Sequence, residues 1–292
     1  MDGMHYEGMI IRPPSEAQSI LLQVTVGCSH NKCTFCGTYK EKRFRIKADS
    51  EIDEDIRYAA ENLSFMRRVF LIDGDALIIP QERLVRILAK IREQLPRVQR
   101  VGTYANAKSI LRKSERDLSE LRDLGLTIAY FGLETGDARV LEEIRKGHPP
   151  ERMIEAGKKI RAAGMKLSVM AILGLAGRER SIEHARATGR ALSAIDPNYI
   201  GVLTLMVLPN TELGRKVREG EFELLTPREM LIELREILVN TEITRGLFFA
   251  NHASNYVPLR LKMPADKEKG IRLLDQAIGG EISLKPEWMR GL

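Results

Sequence analysis

Apolar and polar residues follow one another in a recurring order of strand-like and helix-like segments. Short apolar runs predict six strands: Ile20–Val26, Arg68–Ile72, Val98–Thr103, Thr127–Gly132, Lys166–Leu173 and Tyr199–Met206. Segments with helical spacing of apolar residues lie after them: Ser50–Leu63, Pro80–Gln94, a helix from Ser114, Ala138–Arg145, Glu151–Ala163, Ile182–Ile195 and a short helix after Thr211. Six strand–helix units of roughly thirty residues predict a parallel sheet covered by helices.

Glycine recurs at the carboxyl ends of the predicted strands, at Gly27, Gly74, Gly132 and Gly174. Since α/β barrels place their chemistry at that face, this punctuation favours an incomplete barrel over a doubly wound sheet. The predicted fold is therefore α/β, a partial (βα)6 TIM-like barrel with a C-terminal helical extension. The extension contains two predicted helices, Pro227–Glu242 and Lys267–Ile278. The expected domains are an N-terminal extended segment (1–19), a core barrel (20–215) and the extension (216–292) packed on the barrel.

The composition is that of a globular chain with a sizeable core. The 292 residues have a mass of 33.0 kDa, with 43% hydrophobic and 29% charged residues. No apolar run reaches the roughly 18 residues of a membrane span. The first residues, Met1 to His5, lack the basic and apolar regions of a signal peptide. We therefore expect a cytoplasmic protein without a membrane partner.

Net charge is +6, and one basic run contributes strongly to it. Residues 39–47 carry five basic side chains interleaved with aromatic ones. Such a run binds nucleic acid or an anionic small molecule in some proteins. A solvated loop that leads into a helix is the simpler interpretation, because no second basic domain accompanies it.

All three cysteines lie within nine positions, as Cys28, Cys33 and Cys36. An odd, clustered set does not suit a disulfide framework and suits a soft metal centre. Structural zinc needs four ligands, and the nearest candidate for the fourth is His30. Three cysteines on a four-iron, four-sulfur (4Fe–4S) cluster instead leave one iron open to a small molecule.

The cysteine loop resembles the signature of the radical S-adenosylmethionine (SAM) superfamily, Cys-x3-Cys-x-aromatic-Cys. Cys33-Thr34-Phe35-Cys36 matches its second half, with Phe35 as the aromatic residue. The first gap departs from the pattern, because four residues separate Cys28 from Cys33. The resemblance implies a 4Fe–4S cluster held by Cys28, Cys33 and Cys36, SAM as the second cofactor with Phe35 among its binding residues, and a six-unit partial barrel.

Further segments resemble SAM-binding motifs of the superfamily. Asp73-Gly74-Asp75 corresponds to the Gly-Gly-Glu-Pro motif, in which backbone carbonyls and an acid receive the methionine amino group. Residues 132–136, with Glu134 between glycines, are similar to the ribose-binding Gly-x-Glu-Ser-Gly segment of oxygen-independent coproporphyrinogen oxidases, methylthiotransferases and the Elongator catalytic subunit. Ile172 and Gly174 lie in a stretch that resembles the adenine-lining motif, and Leu208-Pro209-Asn210-Thr211 resembles the turn that closes the core.

Two polar sets outside these motifs are candidates for ligand contacts. Asn106, after the third strand, is a candidate SAM ligand, and Tyr104 beside it is a candidate substrate contact. Asn251, His252 and Asn255 lie in a polar segment between apolar ones. Polar groups in such a position are either structural hydrogen-bond formers or part of a site. As a site, the segment covers the barrel mouth and contacts SAM or substrate.

The resemblance implies an enzyme in which one electron splits SAM and the resulting 5′-deoxyadenosyl radical abstracts hydrogen from a small-molecule substrate. The reaction class remains open among oxidoreductase, transferase and lyase. An electron donor of the flavodoxin or ferredoxin type is the implied partner. Two alternatives remain: a cluster- or haem-handling chaperone of the same fold, and a zinc-stabilised barrel that binds nucleic acid through residues 39–47.

Overall fold

The computed structural model describes residues 3–291. This range contains ten α-helices: α1 (Asp49–Asn62), α2 (Gln81–Gln94), α3 (Ala107–Arg112), α4 (Glu115–Asp123), α5 (Ala138–Glu143), α6 (Pro150–Ala162), α7 (Ser181–Ile195), α8 (Glu212–Arg218), α9 (Pro227–Val239) and α10 (Lys267–Ile278). It also contains ten strands: β1 (Ile20–Gln23), β2 (Thr25–Val26), β3 (Arg45–Ile46), β4 (Arg68–Ile72), β5 (Arg100–Ala105), β6 (Leu126–Glu134), β7 (Lys166–Leu173), β8 (Tyr199–Thr204), β9 (Gly246–Phe249) and β10 (Arg260–Met263). None of the helices in residues 3–291 is long and apolar enough to cross a membrane.

The chain divides into two compact units. The first comprises the described part of Met1–Asn31, together with Thr38–Phe131 and Lys159–Leu167. The second comprises Lys32–Gly37, Gly132–Lys158 and the described part of Ser168–Leu292. In the first unit the strand order is β1-β4-β5-β6, and neighbouring strands run parallel. In the second unit β7, β8 and β9 are parallel neighbours in that order, and β10 pairs antiparallel with β9.

Apolar side chains fill the sheet, as expected for parallel strands covered on their faces. Every residue of β1 is buried, as are the last four residues of β4. Phe70, Tyr104 and Tyr130 lie on three neighbouring strands of the first unit and make edge-to-face ring contacts, with centroids 5.0–6.3 Å apart. The α/β alternation read from the sequence is thus confirmed.

The predicted strand Ile20–Val26 is divided in the structure. β1 stays in the main sheet, whereas β2 pairs antiparallel with β3, with Thr25 opposite Ile46. β3 lies within residues 39–47, for which the sequence predicts a solvated loop, so that prediction is wrong for Arg45 and Ile46. Strands of two residues carry no periodicity, and pairing across about twenty residues is a tertiary event.

Three of the five basic side chains of residues 39–47 pair with acidic residues. Lys42 Nζ lies 2.9 Å from Asp73 Oδ2, and Lys47, fully buried, is 3.4 Å from Asp55. Arg45 pairs with Glu51 and with Glu7. Charges that are neutralised within the fold contribute less to an electrostatic field for nucleic acid. The structure therefore favours the structural interpretation of this run.

Helix starts show where local signals decide the backbone. The helix predicted from Ser114 begins there with a capping box: Ser114 Oγ accepts from the Asp117 amide at 3.0 Å, and Asp117 accepts from the Ser114 amide at 2.7 Å. α1 begins one residue before the predicted Ser50. Its first turn is stabilised by Glu51, whose carboxylate accepts from the Ala48 amide at 2.8 Å.

The extension beyond residue 215 contains more than helices. α9 and α10 match their predicted positions closely, but β9 and β10 add two strands that the sequence does not predict. Each has four residues, too few to separate a strand pattern from a loop. α3 also escapes prediction, because its six residues span less than two turns.

Helices α7 and α9 pack closely at Gly189. A Cβ atom built on Gly189 would lie 2.6 Å from Asn240 Cβ and 2.8 Å from the Ile237 carbonyl oxygen. Only glycine allows this approach of two backbones. The contact positions two buried side chains of these helices, which are described below.

We expect Gly189→Ala to destabilise the chain by about 1–3 kcal/mol, because the added methyl overpacks the α7–α9 contact. Urea unfolding monitored by circular dichroism measures this change. Gly201→Ala is the matched control, since a Cβ there meets only Met170 Cγ, at 3.8 Å. A Gly189→Ala protein as stable as the wild type would show that the close approach is not required.

Candidate functional site

The first unit holds the beginning of the cysteine loop. Cys28 is partly exposed, and Gly74, after β4, lies against it. A Cβ at Gly74 would lie 3.0 Å from both Cys28 Cβ and Tyr39 Cε2, closer than nearly all such contacts in proteins. The glycine of the predicted Asp73-Gly74-Asp75 motif therefore makes room for the cysteine.

Asp75 connects the loop to the end of β5. Its fully buried carboxylate accepts bonds from Ser29 Oγ at 2.5 Å, Asn106 Nδ2 at 2.7 Å and Ser109 Oγ at 2.6 Å. Burial raises the pKa of Asp75, and these hydrogen bonds oppose that shift. The structure thus brings together Asp75 and Asn106, which the sequence predicts as SAM ligands, and binds them to each other.

Asp73 forms a second buried network. Its Oδ2 accepts from Gln23 Nε2 at 3.0 Å, the Gly27 amide at 2.9 Å and Lys42 Nζ at 2.9 Å. Its Oδ1 is buried and has no hydrogen-bond partner within residues 3–291. Asp73 therefore fixes Gly27, the residue before Cys28, through its side chain.

Tyr104 and Asn106 lie at the end of β5 with different surroundings. The Tyr104 ring packs against Phe70 and Tyr130, and burial raises the pKa of its hydroxyl. Asn106 is the N-cap of α3, since its Oδ1 accepts from the Ser109 amide at 3.0 Å. The Asn106 side chain thus makes structural hydrogen bonds to Asp75, Ser29 and Ser109 besides its predicted role.

The second unit holds the remainder of the cysteine loop, with Cys33, Phe35 and Cys36 partly exposed. Both backbone groups of Thr34 are used: its amide donates to the Ile144 carbonyl at 3.0 Å, and its carbonyl accepts from the Leu213 amide at 2.9 Å. After Cys36, Asn210 Nδ2 donates to the Gly37 carbonyl at 3.1 Å. The predicted closing turn 208–211 therefore contacts the end of the loop.

The cysteine loop suits an iron–sulfur cluster by its donor set. None of the three cysteines forms a disulfide, and all are partly exposed. Within residues 3–291, no three His, Cys, Asp or Glu side chains converge as ligands of a single metal ion. In a 4Fe–4S cluster each thiolate binds a different iron, so such convergence is not what this group requires. The roles of Cys28, Cys33 and Cys36 stay a prediction.

Glu134 ends β6 in a left-handed backbone conformation, with φ of 64°. Such a conformation is unusual for a residue with a side chain. Its Oε1 accepts from Lys146 Nζ at 2.8 Å, and both side chains are mostly buried. A Cβ at Gly132 would lie 2.2 Å from the same Oε1, so the predicted glycine clears space for the acid.

Ile172 and Gly174 end β7 in the second unit. Ile172 is partly buried, and Gly174 turns the chain with φ of 83°. The Gly174 amide donates to the fully buried Glu233 Oε1 at 2.7 Å. A Cβ at Gly174 would lie 2.5 Å from Met230 Cε. The C-terminal helix α9 therefore contacts this turn directly.

Sequence reasoning missed Lys146, His184 and Glu233, and it left His184 without a role. His184 and Glu233 are fully buried, and His184 Nδ1 lies 2.8 Å from Thr135 Oγ1. The sequence contains one signal for Glu233, because this acid lies between Met230 and Leu234 on the apolar face of its helix. An acid on an apolar face marks a buried network or a site.

The polar segment of Asn251, His252 and Asn255 lies beside β8. Asn255 is buried, with its Oδ1 accepting from Thr204 Oγ1 at 2.8 Å and its Nδ2 donating to the Val202 carbonyl at 2.9 Å. His252 Nδ1 lies 2.9 Å from Ser254 Oγ. Burial lowers the pKa of His252, and the positive charge of Lys285 lowers it further. Asn251 is exposed.

The C-terminal segment fastens this loop. Arg290 Nε donates to the Ser254 carbonyl at 2.7 Å, and its guanidinium lies 4.1 Å from the centre of the Tyr256 ring. The Lys285 amide donates to the Tyr256 carbonyl at 2.9 Å. These bonds favour a structural role for the buried part of the segment.

We expect Asn255→Ala to lower the free energy of unfolding by about 1–3 kcal/mol, since it leaves the buried Thr204 hydroxyl and Val202 carbonyl without partners. Thermal denaturation measures the loss. Asn251→Ala, the same change on an exposed neighbour, should leave stability within about 0.5 kcal/mol of the wild type. Equal stability of the two variants would contradict a structural role for Asn255.

Comparison with known proteins places the chain in a family. A model of the radical SAM superfamily matches residues 22–187, more than half of the chain. The heme chaperone HemW of Bacillus subtilis is 23% identical over 184 residues, which are 62% of this chain and 48% of HemW. The chain thus spans about half the length of that relative. An uncharacterized protein of Methanocaldococcus jannaschii is 24% identical over 285 residues, 93% of this chain and 80% of that protein.

The fold has relatives among solved structures. Coproporphyrinogen III oxidase (HemN) of Escherichia coli, a radical SAM enzyme, is similar with a TM-score of 0.57 and 16% identity, over 76% of this chain and 53% of that chain. The predicted α/β fold and resemblance are therefore confirmed, and the 4Fe–4S cluster and SAM are the cofactors of this family. The chain belongs to the radical SAM superfamily, a superfamily of enzymes.

Proposed function

We propose that this chain is a radical SAM enzyme whose cluster is held by Cys28, Cys33 and Cys36. The observation that carries the proposal is the cysteine loop, which contains every cysteine of the chain. No disulfide uses these thiols. Hydrogen bonds support both parts of the loop, at Ser29 in the first unit and at Thr34 in the second. Three thiolates without a fourth ligand leave one iron for SAM.

When bound, these cofactors supply the chemistry of the family: one electron splits the sulfonium bond of SAM into methionine and a 5′-deoxyadenosyl radical, which abstracts a hydrogen atom from the substrate. The chain would position the parts of SAM and exclude water.

The methionine amino group would contact the Asp73-Gly74-Asp75 turn through backbone carbonyls. Asp75 already accepts three hydrogen bonds from the protein, and Asp73 Oδ2 accepts three as well. The Asp75 carboxylate is satisfied internally and is a poor acceptor for a new donor. Asp73 has one oxygen, Oδ1, without a hydrogen-bond partner within residues 3–291, but this atom is buried. Both side chains therefore shape the turn, and its backbone would bind the ligand. Phe35 and Asn106 would complete the surroundings of SAM, each within its own unit.

The nucleoside half of SAM would contact the second unit. Glu134 is the proposed acceptor for the ribose hydroxyls, with Lys146 Nζ orienting its carboxylate at 2.8 Å. Ile172 and the backbone at Gly174 would line the adenine. The left-handed backbone at Glu134 supports this role, because strained conformations concentrate at ligand sites.

A small molecule is the proposed substrate, with a flavodoxin or ferredoxin as electron donor. Nucleic acid is a weaker candidate, since three of the five basic residues of the run 39–47 are paired with acids of the fold. A cytoplasmic location is part of the proposal, because the thiols form no disulfide and a reducing compartment keeps them so. The substrate contacts proposed for Tyr104, Asn251 and His252 rest on position alone.

A second candidate function is a chaperone of haem or of a cluster. The similarity to the heme chaperone HemW favours it, at 23% identity over 62% of this chain. The two functions differ in their products: an enzyme releases 5′-deoxyadenosine, whereas a chaperone transfers its cargo unchanged.

Anaerobic reconstitution with iron and sulfide tests the proposal. We expect about four irons per chain and a broad absorbance shoulder at about 400 nm, as for a thiolate-held cluster. Dithionite and SAM should then yield 5′-deoxyadenosine, detected by chromatography. Cys28→Ser, Cys33→Ser and Cys36→Ser should each lose the cluster.

Two other outcomes would overturn the enzyme proposal. One zinc per chain without iron uptake would favour the zinc-stabilised barrel. Tight haem binding and transfer to an acceptor protein, without 5′-deoxyadenosine, would favour the chaperone.

Glu134→Ala should weaken SAM binding by about 1–3 kcal/mol, the loss expected when hydroxyls lose a charged acceptor. Calorimetry with the reconstituted protein measures this, and iron content should not change. Glu142→Ala, which removes the same charge from an exposed position of α5, should bind SAM as the wild type does. Unchanged affinity of the Glu134→Ala protein would mean that the Glu134–Lys146 pair is structural.

A further inference from the structure

Helix α7 contacts the turn that follows Glu134. His184 Nδ1 lies 2.8 Å from Thr135 Oγ1, and Thr188 Oγ1 accepts from the Gly136 amide at 3.0 Å. A Cβ at Gly136 would lie 2.3 Å from the Ala187 carbonyl oxygen. These three α7 residues share one helix face, because they are spaced by three and four positions. The Thr135–Gly136 backbone is thus set by α7.

Helix α9 contacts the turn at Gly174 in a similar way. Glu233 Oε1 accepts from the Gly174 amide at 2.7 Å, and Met230, one turn earlier, fills the space where a Gly174 side chain would lie. Ser181, the first residue of α7, donates from its hydroxyl to Glu233 Oε2. Helix α9 thus fixes the conformation of the Gly174 turn. The Glu233 carboxylate also accepts a hydrogen bond from the start of α7.

His184 and Glu233 join the two contacts. His184 Nε2 and Glu233 Oε1 are 3.3 Å apart, an ion-pair distance without the angle of a hydrogen bond, and both side chains are fully buried. Thr135 Oγ1 also accepts from the Asp137 amide at 2.9 Å, so His184 is connected through Thr135 to the backbone that follows Glu134.

The close packing at Gly189 makes this connection feasible. The contact of Gly189 in α7 with Ile237 of α9 and with Asn240 directly after α9 brings the two helices close together. A carboxylate without water around it needs several donors. Glu233 has the Gly174 amide and the Ser181 hydroxyl, and His184 Nε2 lies 3.3 Å away. The Gly174 amide belongs to the turn that is proposed to line the adenine. His184 contacts the turn after Glu134, which is the proposed ribose ligand.

We propose that His184 and Glu233 are positioning residues for the nucleoside half of SAM. They fix the turn after Glu134 and the turn at Gly174 relative to each other, within the second unit. Glu233 lies beyond residues 22–187, so the C-terminal part of the chain completes a site that the family region begins. This inference rests on the proposed function, because it needs SAM as the ligand.

The test uses calorimetry of the reconstituted full chain with two probes, S-adenosyl-L-homocysteine and free methionine. We expect Glu233→Gln and His184→Ala to raise the Kd for S-adenosyl-L-homocysteine about tenfold, as for the loss of one well-placed hydrogen bond. The Kd for methionine and the iron content should stay at the wild-type values. The stoichiometry of binding reports the folded fraction, whereas the Kd reports the geometry of the site.

Matched variants separate positioning from stability. Glu236→Gln removes the same charge from α9, where Glu236 pairs with Arg186 of α7 at the surface at 3.1 Å, and it should leave both Kd values unchanged. Thr188→Val should raise the Kd for S-adenosyl-L-homocysteine by removing the acceptor of the Gly136 amide. Thr188→Ser retains the hydroxyl and should restore the wild-type Kd. This pair also keeps the test decisive if the Glu233→Gln protein fails to fold.

Two results would overturn the inference. If the variants lower only the stoichiometry and the melting temperature, with an unchanged Kd for S-adenosyl-L-homocysteine, the network is purely structural and the proposed function stands. If the wild-type chain binds neither probe although its iron content is complete, the proposed function itself fails, and the positioning role fails with it.

Discussion

A carboxylate removed from water must be surrounded by hydrogen-bond donors, and this constraint organises the ends of the strands. Asp73, Asp75 and Glu233 are each fully buried. Each collects donors from segments that are distant in sequence, so satisfying one acid connects several loops. Removing such an acid would leave unpaired donors from every connected segment, which is costlier than losing one surface contact.

In the first unit this constraint acts on the cysteine loop. Asp73 binds the Gly27 amide before Cys28, and Asp75 binds the Ser29 hydroxyl after it. The two acids of one turn therefore hold both neighbours of the first cysteine. Gly74 between them has no side chain, which leaves space for that cysteine. The turn thus has a clear structural function, independent of any ligand that it binds.

In the second unit Glu233 acts on the turn at Gly174 and, through His184, on the turn after Glu134. Glu134 itself is balanced by Lys146. The 2.8 Å contact joins two opposite charges in a mostly buried place. Glu134 lies between Gly132 and Gly136 in a left-handed backbone conformation, which is uncommon for a residue with a side chain.

The sequence alone determined the features that depend on local pattern. The α/β class followed from the alternation of apolar runs, the start of α4 from Ser114, and the prediction of a metal centre from three cysteines in nine positions. Only the tertiary structure decided that β2 pairs with β3 and β9 with β10. It also decided that Lys146 pairs with Glu134 and His184 with Glu233. Their pairings join residues separated by about 12 to 50 positions, and no local periodicity encodes which distant donor will satisfy a buried acid.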